Sequence, residues 1–86
     1  MTGTDFDRLV KDALYAVAPD LEGEPIDPDL PFNLQFEFDS MDFLNFVIGL
    51  NRATGLALPE KDYPRLTTLA SASAYLAGKL AARKAE

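Results

Sequence analysis

The 86-residue sequence contains neither cysteine nor histidine. Without cysteine there are no disulfides, no thiolate metal ligands and no encoded nucleophilic thiol, so any thiol chemistry must be imported. Without histidine the chain loses the commonest general base near neutral pH and the commonest metal ligand. Autonomous acid–base or metal catalysis is therefore not expected, and the sequence offers neither a catalytic residue nor a metal site. The start, Met1-Thr2-Gly3-Thr4-Asp5, lacks the basic residues and apolar run of a signal peptide, so a cytoplasmic protein is the simplest expectation. Positive charge is also scarce. A net charge of −6 disfavours nucleic acid and anionic lipid surfaces and makes basic proteins the expected partners. No hydrophilic break is long enough to divide the chain, so residues 1–86 are read as one domain, expected to be monomeric and not inserted in a membrane. With 48% apolar and 26% charged residues, the composition is that of an ordinary globular protein with a small core.

The periodicity predicts helices separated by one long connection. Thr4 followed by Asp7 suits a helix N-cap, and Phe6, Leu9, Val10, Leu14 and Val17 recur at helical steps until Pro19, giving a first helix at about residues 5–17. From Pro19 to Phe38, prolines 25, 28 and 31 and Gly23 prevent continuous helix. So long a loop needs anchors, and Ile26, Leu30, Phe32, Leu34 and Phe36 are candidates. The alternation Phe32, Leu34, Phe36, Phe38 also admits a strand, though one without a partner. Beyond Ser40, Phe43, Phe46, Val47, Leu50 and Thr54 share one side of a second helix that Gly55 ends. Met41, Leu44 and Ile48 form a second apolar row on it, leaving Asp42, Asn45, Gly49 and Arg52 as a polar strip. Glu60-Lys61-Asp62-Tyr63 predicts a short third helix limited by Pro64. Thr67 or Thr68 caps a last one with core positions Leu69, Ala72, Leu76 and Leu80, and Lys79, Arg83 and Lys84 suit its negative end. The fold class is all-α: a small four-helix bundle with a long first loop and a short third helix.

Asp39 stands where an N-cap belongs and Asp42 three residues on, which puts Ser40 at the first helical position beside unpaired backbone amides. A phosphate ester on its oxygen would be held by the helix terminus. Taken alone, an Asp-Ser pair reads as nothing more than a cap. The run Asp39-Ser40-Met41-Asp42-Phe43-Leu44-Asn45-Phe46-Val47, however, resembles the phosphopantetheine attachment site of acyl carrier proteins. The resemblance extends over nearly the whole chain, including the Leu58-Pro59-Glu60 entry to the third helix and the Thr67-Thr68-Leu69 opening of the fourth.

The resemblance implies that a phosphopantetheinyl transferase moves 4′-phosphopantetheine from coenzyme A onto Ser40. The imported thiol then holds acyl groups as thioesters and presents them to acyl-loading, acyl-transferring or synthase enzymes of a fatty acid, lipid or secondary-metabolite pathway. It implies docking roles for Asp39, Met41, Asp42, Leu44 and Ile48, and places Phe43, Phe46, Val47 and Leu50 around an acyl-chain cavity, positions that plain core packing would also fill. Packing under the long loop is the competing expectation for Met41, Leu44 and Ile48. Where fatty acid carriers show acidic residues along this helix, the chain has Asn45, Asn51 and Arg52, which implies a specialised carrier with its own enzymes. The bulky rings at Phe38, Phe43 and Phe46 leave less room for a long saturated chain. Two other readings stay open: an aminoacyl carrier of the D-alanyl type, and an unmodified helical adaptor that offers Met41, Leu44 and Ile48 to a partner.

Overall fold

The computed structural model describes residues 3–85, and the side chains of residues 5–82. All regular structure among them is helical: α1 (Gly3–Val17), a 3-10 turn (Pro19–Leu21), the single-turn α2 (Phe32–Gln35), α3 (Ser40–Thr54), a 3-10 segment (Glu60–Leu66) and α4 (Leu69–Ala85). The expected all-α bundle, long first loop and short third helix are all present. α1 packs against both α3 and α4, and the 3-10 segment lies on α4. Phe6, Val10, Ala13 and Leu14 of α1 meet Phe46, Val47 and Leu50 of α3 and Leu69, Ala72 and Leu76 of α4 in one core. Each helix thus buries the i, i+3, i+4, i+7 stripe that its sequence carries.

Several local expectations change. α1 begins at Gly3, two residues before its expected start, so Thr4 lies inside the helix; its side chain is outside the described residues, as are those of Arg83 and Lys84. Pro64 does not end the third helix. It sits within the 3-10 segment, which runs on to Leu66, a fully buried side chain that anchors the far end. Lys79 does not serve the end of α4 but donates through Nζ to the Ala57 carbonyl at 3.1 Å. Gly49 leaves the polar strip, because a Cβ added there would stand 3.7 Å from that of Ala13, where α3 faces α1. Gly55 caps α3 as expected, at φ 70°, donating to the Asn51 carbonyl at 2.7 Å. Thr68 is the cap of α4, its hydroxyl accepting from the Ser71 amide at 3.1 Å.

The course of the long loop decides what it covers. The Phe32 amide donates to the Thr67 carbonyl at 2.9 Å and the Ala70 amide to the Pro28 carbonyl at 3.0 Å, fastening the loop to the start of α4. The Gln35 side chain ties it internally, donating to the Asp27 carbonyl at 2.9 Å and the Leu30 carbonyl at 2.7 Å and accepting from the Asp27 amide at 3.0 Å. Residues 32–35 form the α2 turn, so the strand alternative falls. Phe32, Leu21 and Phe38 are the loop's buried anchors, and Ile26 and Phe36 pack partly buried against the core as expected; Leu34 is 67% exposed and pins nothing.

Candidate carrier site

Asp39 is in the extended region, and its Oδ1 accepts from the Asp42 amide at 2.8 Å while Asp42 Oδ2 accepts from the Asp39 amide at 3.2 Å. The Phe43 amide donates to the Asp39 carbonyl at 3.0 Å and starts the helical ladder. Two carboxylates therefore close a reciprocal capping box around the first turn. The exposed Ser40, at the first helical position, takes no part in it. Its hydroxyl is left for chemistry, and the Ser40 and Met41 amides, which have no acceptor within the helix, favour an anion at this end. That preference counters the charge of Asp39 and Asp42, both of which already accept from backbone amides.

The two apolar rows of α3 have separated. Phe46, Val47 and Leu50 are buried, and the Phe46 ring stands edge-on to Phe32 at 5.4 Å and to Phe38 at 6.2 Å. Met41, Leu44 and Ile48 are 62%, 41% and 40% exposed, since the loop runs to α4 and leaves them uncovered. Of the polar positions, Asn51 is committed to structure, donating to the Leu56 carbonyl at 2.6 Å, whereas Asn45 and Arg52 are exposed.

Beside Ser40 lies an open pocket of about 490 Å³, lined by Phe32, Asn33, Phe38, Phe43, Tyr63, Pro64 and Thr67 with Asp39 and Ser40 at its edge. Phe43 is the only one of the four expected cavity residues on this wall; Phe46, Val47 and Leu50 do not line it and pack in the core. Sequence reasoning missed Asn33, Tyr63, Pro64 and Thr67. They come from the loop and the 3-10 segment, and nothing periodic joins those segments to Ser40. The aromatic run Phe32, Phe36, Phe38 just before the serine was the available signal.

Tyr75 of α4 holds the 3-10 wall of the pocket in place. Its hydroxyl donates to Asp62 Oδ2 at 2.6 Å, and its ring is flanked by the Arg65 guanidinium at 6.0 Å and the Lys79 ammonium at 5.6 Å. Burial, reinforced by the hydrogen bond to Asp62 and that residue's charge, pushes the phenol up to about 12, with Arg65 pulling the other way.

A small helical bundle that presents an exposed serine at the head of a long helix, with the cap supplied by its neighbour, has the form of a carrier domain. Residues 8–76 match the sequence model of the family described as phosphopantetheine attachment site, and the chain belongs to that family. No curated protein matches the chain. Domains of this family are attachment sites for the 4′-phosphopantetheine prosthetic group, are generally non-catalytic, and generally meet the enzymes that modify them and handle acyl groups. The residues around Ser40 fit such a group, because the hydroxyl is exposed, free of the cap, at the positive end of a helix and next to an open pocket. No helix among the described residues is long and apolar enough to cross a membrane.

Proposed function

We propose that Ser40 is the attachment residue, and that residues 1–86 form one acyl carrier domain serving a specialised pathway. The observation that carries this reading is the exposed Ser40 at the first position of α3, with its hydroxyl spared by the Asp39–Asp42 box. In the transfer step a new bond joins Ser40 Oγ to the phosphorus of the pantetheine phosphate. The bond to adenosine 3′,5′-bisphosphate breaks, and the serine proton passes to the transferase. The group, once bound, supplies the thiol that the sequence lacks, on which acyl groups ride as thioesters. Tethering makes each meeting of cargo and enzyme a high-local-concentration event.

In this reading Asp39 and Asp42 draw in basic enzyme surfaces, and Met41, Leu44 and Ile48 are the apolar contacts. Their exposure favours docking over packing under the loop. Neutral Asn45 and cationic Arg52 along the same helix weaken recognition by the enzymes of general fatty acid synthesis, which supports a dedicated set of partners. An aminoacyl cargo uses the same chemistry, and loading by purified adenylating enzymes with labelled acyl or amino acids separates the two.

Intact mass after coexpression with a broad-specificity phosphopantetheinyl transferase tests the attachment. The wild type is expected to gain the prosthetic-group mass and Ser40→Ala none. A wild type without added mass overturns the carrier reading, and a Ser40→Ala protein that gains it overturns the residue.

A further inference from the structure

Among the described residues the large hydrophobic side chains left exposed are Leu34, Met41, Leu44 and Ile48. Single exposed hydrophobics are ordinary, but these four gather in the segment around one serine. Three share the outer face of α3; Leu34, the most exposed at 67%, stands on the α2 turn. That turn is held firmly. The Leu34 amide donates to the Pro31 carbonyl at 2.9 Å and the Phe36 amide to the Phe32 carbonyl at 2.9 Å, while the Gln35 side chain bonds back into the loop. The Phe32 ring meets Phe38 edge-on at 5.8 Å, two residues before Ser40, so the turn that displays Leu34 is fixed beside the head of α3. Leu34 itself belongs neither to the core nor to the half-buried side chains packed on it, and folding gives no reason for a leucine there.

Charge marks the same part of the chain. No lysine or arginine occurs between Lys11 and Arg52, and Asp20, Glu22, Glu24, Asp27, Asp29 and Glu37 along the loop are all exposed. The carboxylates that α3 lacks beyond Asp42 are thus present on the loop, on either side of Leu34 in the chain. A carboxylate-rich surface with one projecting leucine suits a partner with basic side chains about an apolar hollow. Resting on the assignment of Ser40 as the attachment residue, we propose that this partner is the phosphopantetheinyl transferase, which holds the loop through Leu34 while α3 offers Met41, Leu44 and Ile48. An enzyme that reaches Ser40 covers its surroundings, and a specific interface takes about 800 Å² from each partner, more than three side chains on one helix face supply. Leu34 is the anchor, and the loop carboxylates draw the basic surface in.

Steady-state modification of the full chain by a purified broad-specificity transferase, with intact mass recorded on each product, tests this. Leu34→Ser is expected to raise the KM for the carrier about tenfold with kcat unchanged, and Leu34→Met to return it to within about twofold of wild type. Helical circular dichroism and the urea midpoint of Leu34→Ser are expected to match wild type, because the side chain lies outside the core. Joint replacement of Glu22, Glu24 and Glu37 by Gln is expected to lower kcat/KM at low salt and to flatten its fall with added salt. A wild-type KM for Leu34→Ser overturns the contact, while the attachment, read as the added mass that Ser40→Ala lacks, stands. An unchanged salt dependence in the triple variant overturns the role of the loop carboxylates. A wild type that gains no mass overturns both the contact and the attachment.

Discussion

α3 carries two apolar rows of similar composition, and they do different work. Phe46, Val47 and Leu50 are buried against α1 and the loop aromatics, whereas Met41, Leu44 and Ile48 stand in solvent on the same helix. Side-chain chemistry does not distinguish them. The difference is made elsewhere, by a loop whose attachments lead to α4, so the core row is read from its stability and the exposed row from its partners.

Truncating one member of each row separates the two roles by stability. Leu50→Ala is expected to cost about 2–5 kcal/mol, because the fully buried side chain leaves a cavity, and to lower the urea midpoint accordingly. Leu44→Ala, at a site 41% exposed, is expected to cost under about 1 kcal/mol. Equal losses would mean that both rows are core.

The tyrosines extend the contrast with a smaller effect. Tyr75→Phe removes a part-buried hydrogen bond to the Asp62 carboxylate and is expected to cost about 1–2 kcal/mol near neutral pH, while Tyr63→Phe on the pocket wall is expected to cost about a few tenths. The pH dependence carries a sign. The folded state holds the Tyr75 proton more tightly than the unfolded chain, so this stabilisation is fully present below the ordinary phenol value of about 10 and is lost as pH rises towards about 12. Denaturation measured from pH 9 to 12 should show the advantage of wild type over Tyr75→Phe shrinking across that window. A constant difference would rule out the linkage.

Asp39 caps α3 and, in the proposed function, also meets the transferase. Loss of the cap in Asp39→Ala is expected to cost about 1 kcal/mol in thermal denaturation. Asp39→Asn keeps an acceptor for the Asp42 amide and is expected to stay within a few tenths of wild type, yet to be modified more slowly by the transferase. If Asp39→Asn is modified at the wild-type rate, the residue is a cap alone.

Much of this was legible in the sequence because it is local. The Asp39 and Asp42 spacing set the start of α3, Gly55 set its end, and the 3.6-residue period drew both of its rows. What the period left open was whether the second row, Met41, Leu44 and Ile48, was covered by the loop. That depended on the Phe32 amide reaching the Thr67 carbonyl and on Gln35 bonding to Asp27 and Leu30, contacts with no periodic trace. Tyr75 and Ser73 were missed for the same reason. Each is buried with a partner from another segment, Asp62 and Asp7 respectively, and a hydroxyl on a helix gives no sign of so distant an acceptor. Pro64 misled because the rule against proline applies to an α-helix interior, whereas here it lies in a short 3-10 segment.

The loop bonded through Gln35 contributes Phe32 and Asn33 to the pocket, and Phe32, with the partly buried Ile26 and Phe36, also packs into the core. The exposed positions of this segment can therefore change while its anchors and the helices stay fixed. A graft of residues 24–36 that keeps Ile26, Phe32, Gln35 and Phe36 would change the edge of the pocket at Asn33 while holding the loop on its course to α4, which makes its remaining positions a natural point of divergence among carriers and a convenient handle for redesign.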